Sequence, residues 1–266
     1  MWIKSSDMDV NVRTRSKIPR FFSRLEEATL REEPSANVTL VLNARVPLAR
    51  LTLRGTNFDV THEWGEDNVI ARHHVQVREW ARRYSRDEAV CQSMRLIKVW
   101  AGAQRLNSPT EGGLNSLGWF VLFLSSVSDL LPPQHEEHDD EAEGRGGGSR
   151  PLHERCIALV KRFFSSCKSI GDSKRVYFAP NSEVKPEGLE LDIARLSANV
   201  SPTAHRGLGT SLFIQDPFLA DINLGRFVDK SSLARMRKAL EEADALMQMA
   251  SKRRSWEELV RPVNKR

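Results

Sequence analysis

Three aspartates could do chemistry in this sequence. Asp7 and Asp9 lie in Ser6-Asp7-Met8-Asp9-Val10, and Asp59 stands between Phe58 and Val60. In a strand, residues two apart project from the same face, so Asp7 and Asp9 are expected to present both carboxylates to one spot. A second alternating stretch, Val38 to Leu42 and then Ala49 to Leu53, leads through Gly55 to Asp59. If that strand lies beside the first, three carboxylates converge. Like charges held that close are costly unless divalent cations sit among them, and carboxylate oxygens suit Mg2+ or Mn2+. Two such ions serve phosphoryl and nucleotidyl transfer, one activating a hydroxyl and the other steadying the leaving pyrophosphate. Spacing alone leaves the question open, because Asp-x-Asp pairs also occur on surface strands that bind nothing.

The elements that must position these acids can be read from period and punctuation. Residues 16–31 read as a helix with Phe21, Phe22 and Leu25 on one face, and Pro19 falls in its first turn, where a missing N–H costs little. From about Glu66 the pattern turns helical. Ser85-Arg86-Asp87-Glu88 reads as a capping box, followed at helical spacing by Val90, Met94, Ile97 and Ala101. Residues 114–131 are the most apolar run, yet Asn115, several serines and Asp129 interrupt it, so it reads as a buried helix ended by Pro132-Pro133. Residues 134–150, acidic and then glycine-rich, cannot bury an apolar face and read as a disordered insertion; His135 and His138 within it read as solvated. Beyond it the pattern gives a helix over 152–164, short strands over 175–178 and 211–214, and a long helix over 231–253 capped by Ser231 or Ser232.

The 266 residues are 40% hydrophobic, enough to bury a core in one or two domains. Forty basic against 35 acidic residues give a formal charge of +5, which permits a polyanionic partner without demanding one. The basic ends, Lys252-Arg253-Arg254 and Lys265-Arg266, read as solubilising surface charge. Cys91, Cys156 and Cys167 are odd in number and lack metal spacing, so they read as free thiols of an intracellular, reducing compartment. Neither a signal peptide nor a membrane span is read here.

Five segments, in order, resemble the noncanonical poly(A) polymerase and terminal uridylyltransferase family of DNA polymerase beta-like nucleotidyltransferases. Ser6-Asp7-Met8-Asp9 resembles its metal-binding motif, and Ala44-Arg45-Val46-Pro47-Leu48 the stretch before its third acid. Lys98-Val99-Trp100-Ala101 resembles a helix motif, followed by Asn107-Ser108-Pro109 and Gly113-Leu114-Asn115-Ser116. Ile214-Gln215-Asp216-Pro217-Phe218, with Asn223-Leu224-Gly225-Arg226, resembles its nucleotide-recognition loop.

The resemblance implies an α+β, two-lobed fold: a mixed-sheet palm over residues 1–64 and a mostly helical central, poly(A)-polymerase-associated domain over 65–266, with the recognition loop at 207–226. It implies template-independent addition of AMP or UMP from ATP or UTP to an RNA 3′ end, with two Mg2+ or Mn2+ ions. Asp7, Asp9 and Asp59 would hold the metals, and Asp59 would also act on the 3′-hydroxyl as base. Lys98 and Ser116 would meet the triphosphate, and Asp216 the base edge. Pro217, Phe218, Asn223 and Arg226 would shape the loop, Arg226 by pairing with a carboxylate. Protein partners in an RNA-processing complex are also implied.

Departures from the family pattern are equally specific. The Gly-Ser turn expected about ten residues before the first acid has no counterpart, which reads as a chain whose start lies upstream, or as an inactive scaffold that binds RNA or a complex. Retention of all three acids favours the first. Gly102 stands where a second triphosphate lysine is usual, and Leu117 where a tyrosine stacks on the base. The ribose contact has no clean counterpart, and length-matching falls near Gln76-Val77. Leu219 and Ile222 replace the polar residues common in uridine-adding relatives, which points to adenosine.

Overall fold

The computed structural model describes residues 8–14, 16–43, 47–63, 69–131, 151–171, 175–198, 212–249 and 259–261. Asp7, the 44–46 stretch, the 134–150 insertion and residues 207–211 of the loop lie outside them. The chain divides into two compact units, residues 1–75 and 76–266. The division falls inside a helix, later than the palm boundary at 64 read from the sequence.

The first unit is a four-stranded mixed sheet with one helix. Its elements are β1 (Met8–Arg13), α1 (Ile18–Glu32), β2 (Asn37–Val41), β3 (Leu48–Leu53) and β4 (Thr56–Glu63). The strand order is β1-β4-β3-β2, with β1 parallel to β4 and the other pairs antiparallel. Residues 54 and 55 make the two-residue turn between β3 and β4, both with positive φ (50° and 78°), the twist a tight hairpin needs. On α1, Pro19 sits in the first turn and Phe22 is fully buried, as the apolar face requires. Phe22 meets Ala49 and Leu51 of β3 and Val60 of β4, while Val10 and Val12 of β1 pack against the same core.

The second unit is mostly helical. The helix α2 (Val69–Ser85) leads into it, followed by α3 (Glu88–Ala103), α4 (Ser116–Val127), α5 (Leu152–Cys167), β5 (Val176–Tyr177), α6 (Leu189–Ala198), β6 (Phe213–Ile214) and α7 (Lys230–Met249). The helix α4 is enclosed on nearly all sides, which its apolar composition dictates. Trp100 of α3 packs edge-on against Trp119 of α4 and Phe164 of α5, and all three are buried. No described helix is long and apolar enough to cross a membrane.

Two caps differ from the sequence expectation. Because α2 runs through Ser85, the cap of α3 is Asp87, whose carboxylate accepts from the Ala89 and Val90 amides at 2.9 and 3.4 Å. Ser85 instead donates to the Arg82 carbonyl. At α7 the cap is Asp229, which accepts from the Ser232 amide at 2.7 Å and the Ser231 hydroxyl at 2.9 Å. The Ser232 amide bond holds the Asp229 carboxyl below the ordinary range. The sequence reading also missed α6. Leu189 and Leu191 are exposed and only Leu196 of its apolar residues is fully buried, so the sequence pattern announces it weakly. Buried Asp192 fastens its start by accepting from the Glu187 and Gly188 amides.

Candidate active site

Strand register determines where the acids fall. The parallel pairing of β1 with β4 makes Asp9 and Asp59 register partners, and the antiparallel pairing of β3 with β4 makes Arg50 the partner of Asp59 on its other side. Ala49, Leu51 and Val60 point into the core under α1, so the alternation turns Arg50 and Asp59 to the opposite face. Arg50 grips the Asp59 carboxylate with a two-pronged fork, Nε to Oδ1 and Nη2 to Oδ2, both at 2.9 Å. The Asp59 side chain is 17% exposed and that of Arg50 54%. The next pair along this face, Thr52 and Asn57, is joined by a 2.9 Å hydrogen bond.

Among the described residues, no group of three or more His, Cys, Asp or Glu gathers around a metal position. Asp7 lies outside them. The residue types nevertheless suit a hard cation: Asp9 and Asp59 occupy matched positions of adjacent strands, and aspartate oxygens are the ligands such a cation takes.

In the helical unit, Lys98 and Ser116 line one cavity of about 410 Å3, between α2, α3 and the start of α4. That volume lies within the range of small-molecule sites. Asn115 caps α4 by accepting from the Gly118 amide at 2.8 Å, which fixes Ser116 as the first helical residue. A Cβ on Gly113 would come within 2.2 Å of the Leu106 carbonyl oxygen, so only glycine lets the chain turn into α4 here. Arg95, one helical turn before Lys98, lines the same cavity. Neither cation has a carboxylate partner among the described residues. Leu117 lines the wall where a stacking tyrosine was missed, but so do the rings of Tyr84 and Phe120. Tyr84 donates to the Pro180 carbonyl at 2.7 Å, and burial pushes its phenol above the ordinary value. Val77 also lines the cavity, whereas neighbouring Gln76 directs its amide to Glu183.

The 212–226 loop is built around three buried polar side chains. Asn223 accepts from the Ile214 and Gly225 amides and donates to the Leu212 carbonyl, at 2.9–3.0 Å. Asp216 accepts from the Phe218 and Leu219 amides through Oδ1, closing the turn through Pro217. Gln215 donates to the Asp216 and Leu219 carbonyls and accepts from Arg195 at 3.2 Å. Arg195 also pairs with Asp192 and Glu187, tying α6 to the loop. Arg226 donates to the Asn223 carbonyl at 3.3 Å and lies over the Phe227 ring. Phe218 meets Trp80 edge-on at 6.1 Å. A Cβ on Gly225 would come within 2.5 Å of the Leu212 carbonyl oxygen, so the loop needs glycine there.

Sequence reasoning missed Arg50, Arg95 and Arg195. Counting outward from the Arg54-Gly55 turn sets Arg50 opposite Asp59, and helical spacing sets Arg95 beside Lys98. No local signal marks Arg195, whose partner Gln215 is 20 residues away.

No family model matches the sequence. Protein HESO1 of Arabidopsis thaliana is 28% identical over 165 residues, 55% of this chain, and the match spans only 32% of that protein's length. The solved structure of a cytoplasmic RNA terminal U-transferase matches 98% of this chain and 81% of its own, at 20% identity and a TM-score of 0.64. The structure of Cid1, an RNA terminal uridylyl transferase, matches 98% of this chain and 82% of its own, at 20% identity and a TM-score of 0.66. Cid1 has also been solved with MgATP, with its short product ApU and with the UTP analogue UMPNPP. The chain thus shares the α+β nucleotidyltransferase fold of these terminal uridylyl transferases and, over about half its length, is similar in sequence to HESO1.

Proposed function

We propose that the chain adds nucleotides, AMP or UMP, to an RNA 3′ end without a template. The observation that carries this reading is the register of Asp9 with Asp59 across parallel strands, which sets acids side by side on a sheet of this fold. Two Mg2+ or Mn2+ ions held by Asp7, Asp9 and Asp59 would activate the 3′-hydroxyl and neutralise the pyrophosphate leaving group. In the helical unit, Lys98 is a point charge for the triphosphate, and the Ser116 hydroxyl donates to a phosphate oxygen. Arg95 supplies, one turn earlier on α3, the second positive charge that Gly102 does not. The Tyr84 and Phe120 rings give the cavity aromatic surface in place of the tyrosine that Leu117 replaces.

Base choice falls to the 212–226 loop. Leu219 and Ile222 contribute backbone groups to its closure and apolar side chains to its surface, which favours adenine over a base that needs polar discrimination. Because the chain spans a third of HESO1, partner subunits and RNA target belong to the same proposal.

The test is extension of a single-stranded RNA with Mg2+ or Mn2+ and each of the four NTPs in turn. Extension that Asp59→Asn abolishes supports the reading, and the preferred NTP decides adenosine against uridine. A scaffold reading draws on Gly102 and Leu117. RNA binding without extension by any NTP, in a folded protein, would select it.

A further inference from the structure

We propose that Arg50 is the resident counter-ion of the acidic face and sets how tightly that face takes a divalent cation. This rests on the metal reading above, as it concerns Asp59. Both oxygens of Asp59 are engaged by the Arg50 fork, at 2.9 Å each, in the arrangement that makes arginine–carboxylate pairs strong. The fork is fixed by the backbone, since Arg50 and Asp59 are register partners on adjacent strands rather than long side chains meeting by chance.

A guanidinium does not lose its proton at any ordinary pH, so the compensating charge on Arg50 is permanent. Without a metal, it neutralises the Asp59 carboxylate. A metal ion that binds Asp59 must take at least one oxygen from the fork, so metal uptake here is an exchange of cations. An exchange lowers apparent metal affinity by the strength of the pair displaced. Arg50 thereby keeps Asp59 in place on the folded sheet when metal is scarce, and raises the metal concentration at which that carboxylate is occupied.

A purely structural strap predicts the opposite sign. If Arg50 only oriented Asp59, removing it would loosen the carboxylate and weaken metal binding. The experiment is calorimetric titration of the full chain with Mn2+ alone, for wild type, Arg50→Gln, Arg50→Lys and Asp59→Asn, with circular dichroism on each. Arg50→Gln is expected to bind Mn2+ about tenfold more tightly, the release of one bidentate pair, while its metal-free thermal midpoint falls. Arg50→Lys keeps the charge but loses the fork, and gains about threefold. If Arg50→Gln does not fold, the lysine variant carries the test. Equal or weaker Mn2+ binding by the variants, with binding still lost in Asp59→Asn, overturns the counter-ion role and leaves the metal reading standing. Mn2+ binding that survives Asp59→Asn, or that neither wild type nor Arg50→Gln shows, overturns the metal reading and the counter-ion role with it.

Discussion

In the sheet unit the buried apolar side chains among the described residues are Phe22, Ala49, Leu51 and Val60, whereas in the helical unit Trp100, Trp119, Phe123, Phe163 and Phe164 are all enclosed together. Asp59 is held by register and the Arg50 fork over a thin core, and the cavity of Lys98 and Ser116 by aromatic packing. Register is exact about which residues are neighbours, because one step of slip would move every side chain to the other face. Packing is tolerant of sequence but sensitive to lost volume.

Truncation in each core should separate the two most sharply. Trp100→Ala is expected to cost about 4 kcal/mol in the helical unit, and Leu51→Ala about 3 kcal/mol in the sheet unit. Followed in urea by tryptophan fluorescence and amide exchange, each variant should move the transition of its own unit. A single transition shifted equally by both would break the comparison and make the chain one cooperative body.

The 212–226 loop tests whether a packed unit can also depend on specific hydrogen bonds. Asn223→Ala removes three of them from a buried position and is expected to cost about 2 kcal/mol. Arg226→Ala, at a half-exposed position, is expected to cost less than half as much. Chemical denaturation of both variants checks the order. Equal losses would mean that the loop is held by Arg226 contacts rather than by its buried amide.

For the cavity, the expected effect is on binding. Lys98→Gln should raise the KM for NTP about tenfold with kcat within a factor of about two, the signature of a contact made equally in ground and transition states. Arg95→Gln should do the same. A fall in kcat of similar size would move these cations from holding the triphosphate to acting on the reacting phosphate.

What the sequence made legible follows the same division. Alternation identified the strands and a 3.6-residue period the helices α1, α3, α4 and α5, because those signals are local. The turn at Arg54-Gly55 was legible in principle down to the pairing of Arg50 with Asp59. What the sequence concealed was made by distant partners. The cap at Asp87 was hidden because nothing local says that α2 continues through Ser85. The helix α6 leaves Leu189 and Leu191 exposed, buries Leu196, and is tied in by Asp192 and Arg195, whose partner Gln215 is far along the chain. Lys98 and Ser116 were recognised as residues, but their common cavity, and Arg95 within it, emerged only from the packing of α2, α3 and α4.

The smallest expected effect lies in the sheet unit and concerns pH. His62, on β4, is buried and stacked on Phe21 at 4.3 Å, with Nε2 2.9 Å from the Thr14 hydroxyl and Nδ1 without a hydrogen-bond partner. Burial alone pushes its imidazole below the ordinary value of 6.5, because the charged form loses hydration that Phe21 and Phe22 cannot replace. The folded state then binds fewer protons than the unfolded chain in the window below 6.5. The stability that His62 contributes is full above that value and is lost as pH falls toward and through its lowered folded value, with a slope of at most about 1.4 kcal/mol per pH unit. His62→Phe keeps the ring packing and removes the proton, so the unfolding midpoint of the sheet unit should become flatter between pH 7.5 and 5 than in wild type. The helical-unit midpoint, which has no share in this group, should keep its own pH profile in both proteins. If His62→Phe leaves the sheet unit's acid sensitivity unchanged, the burial of His62 is not its source.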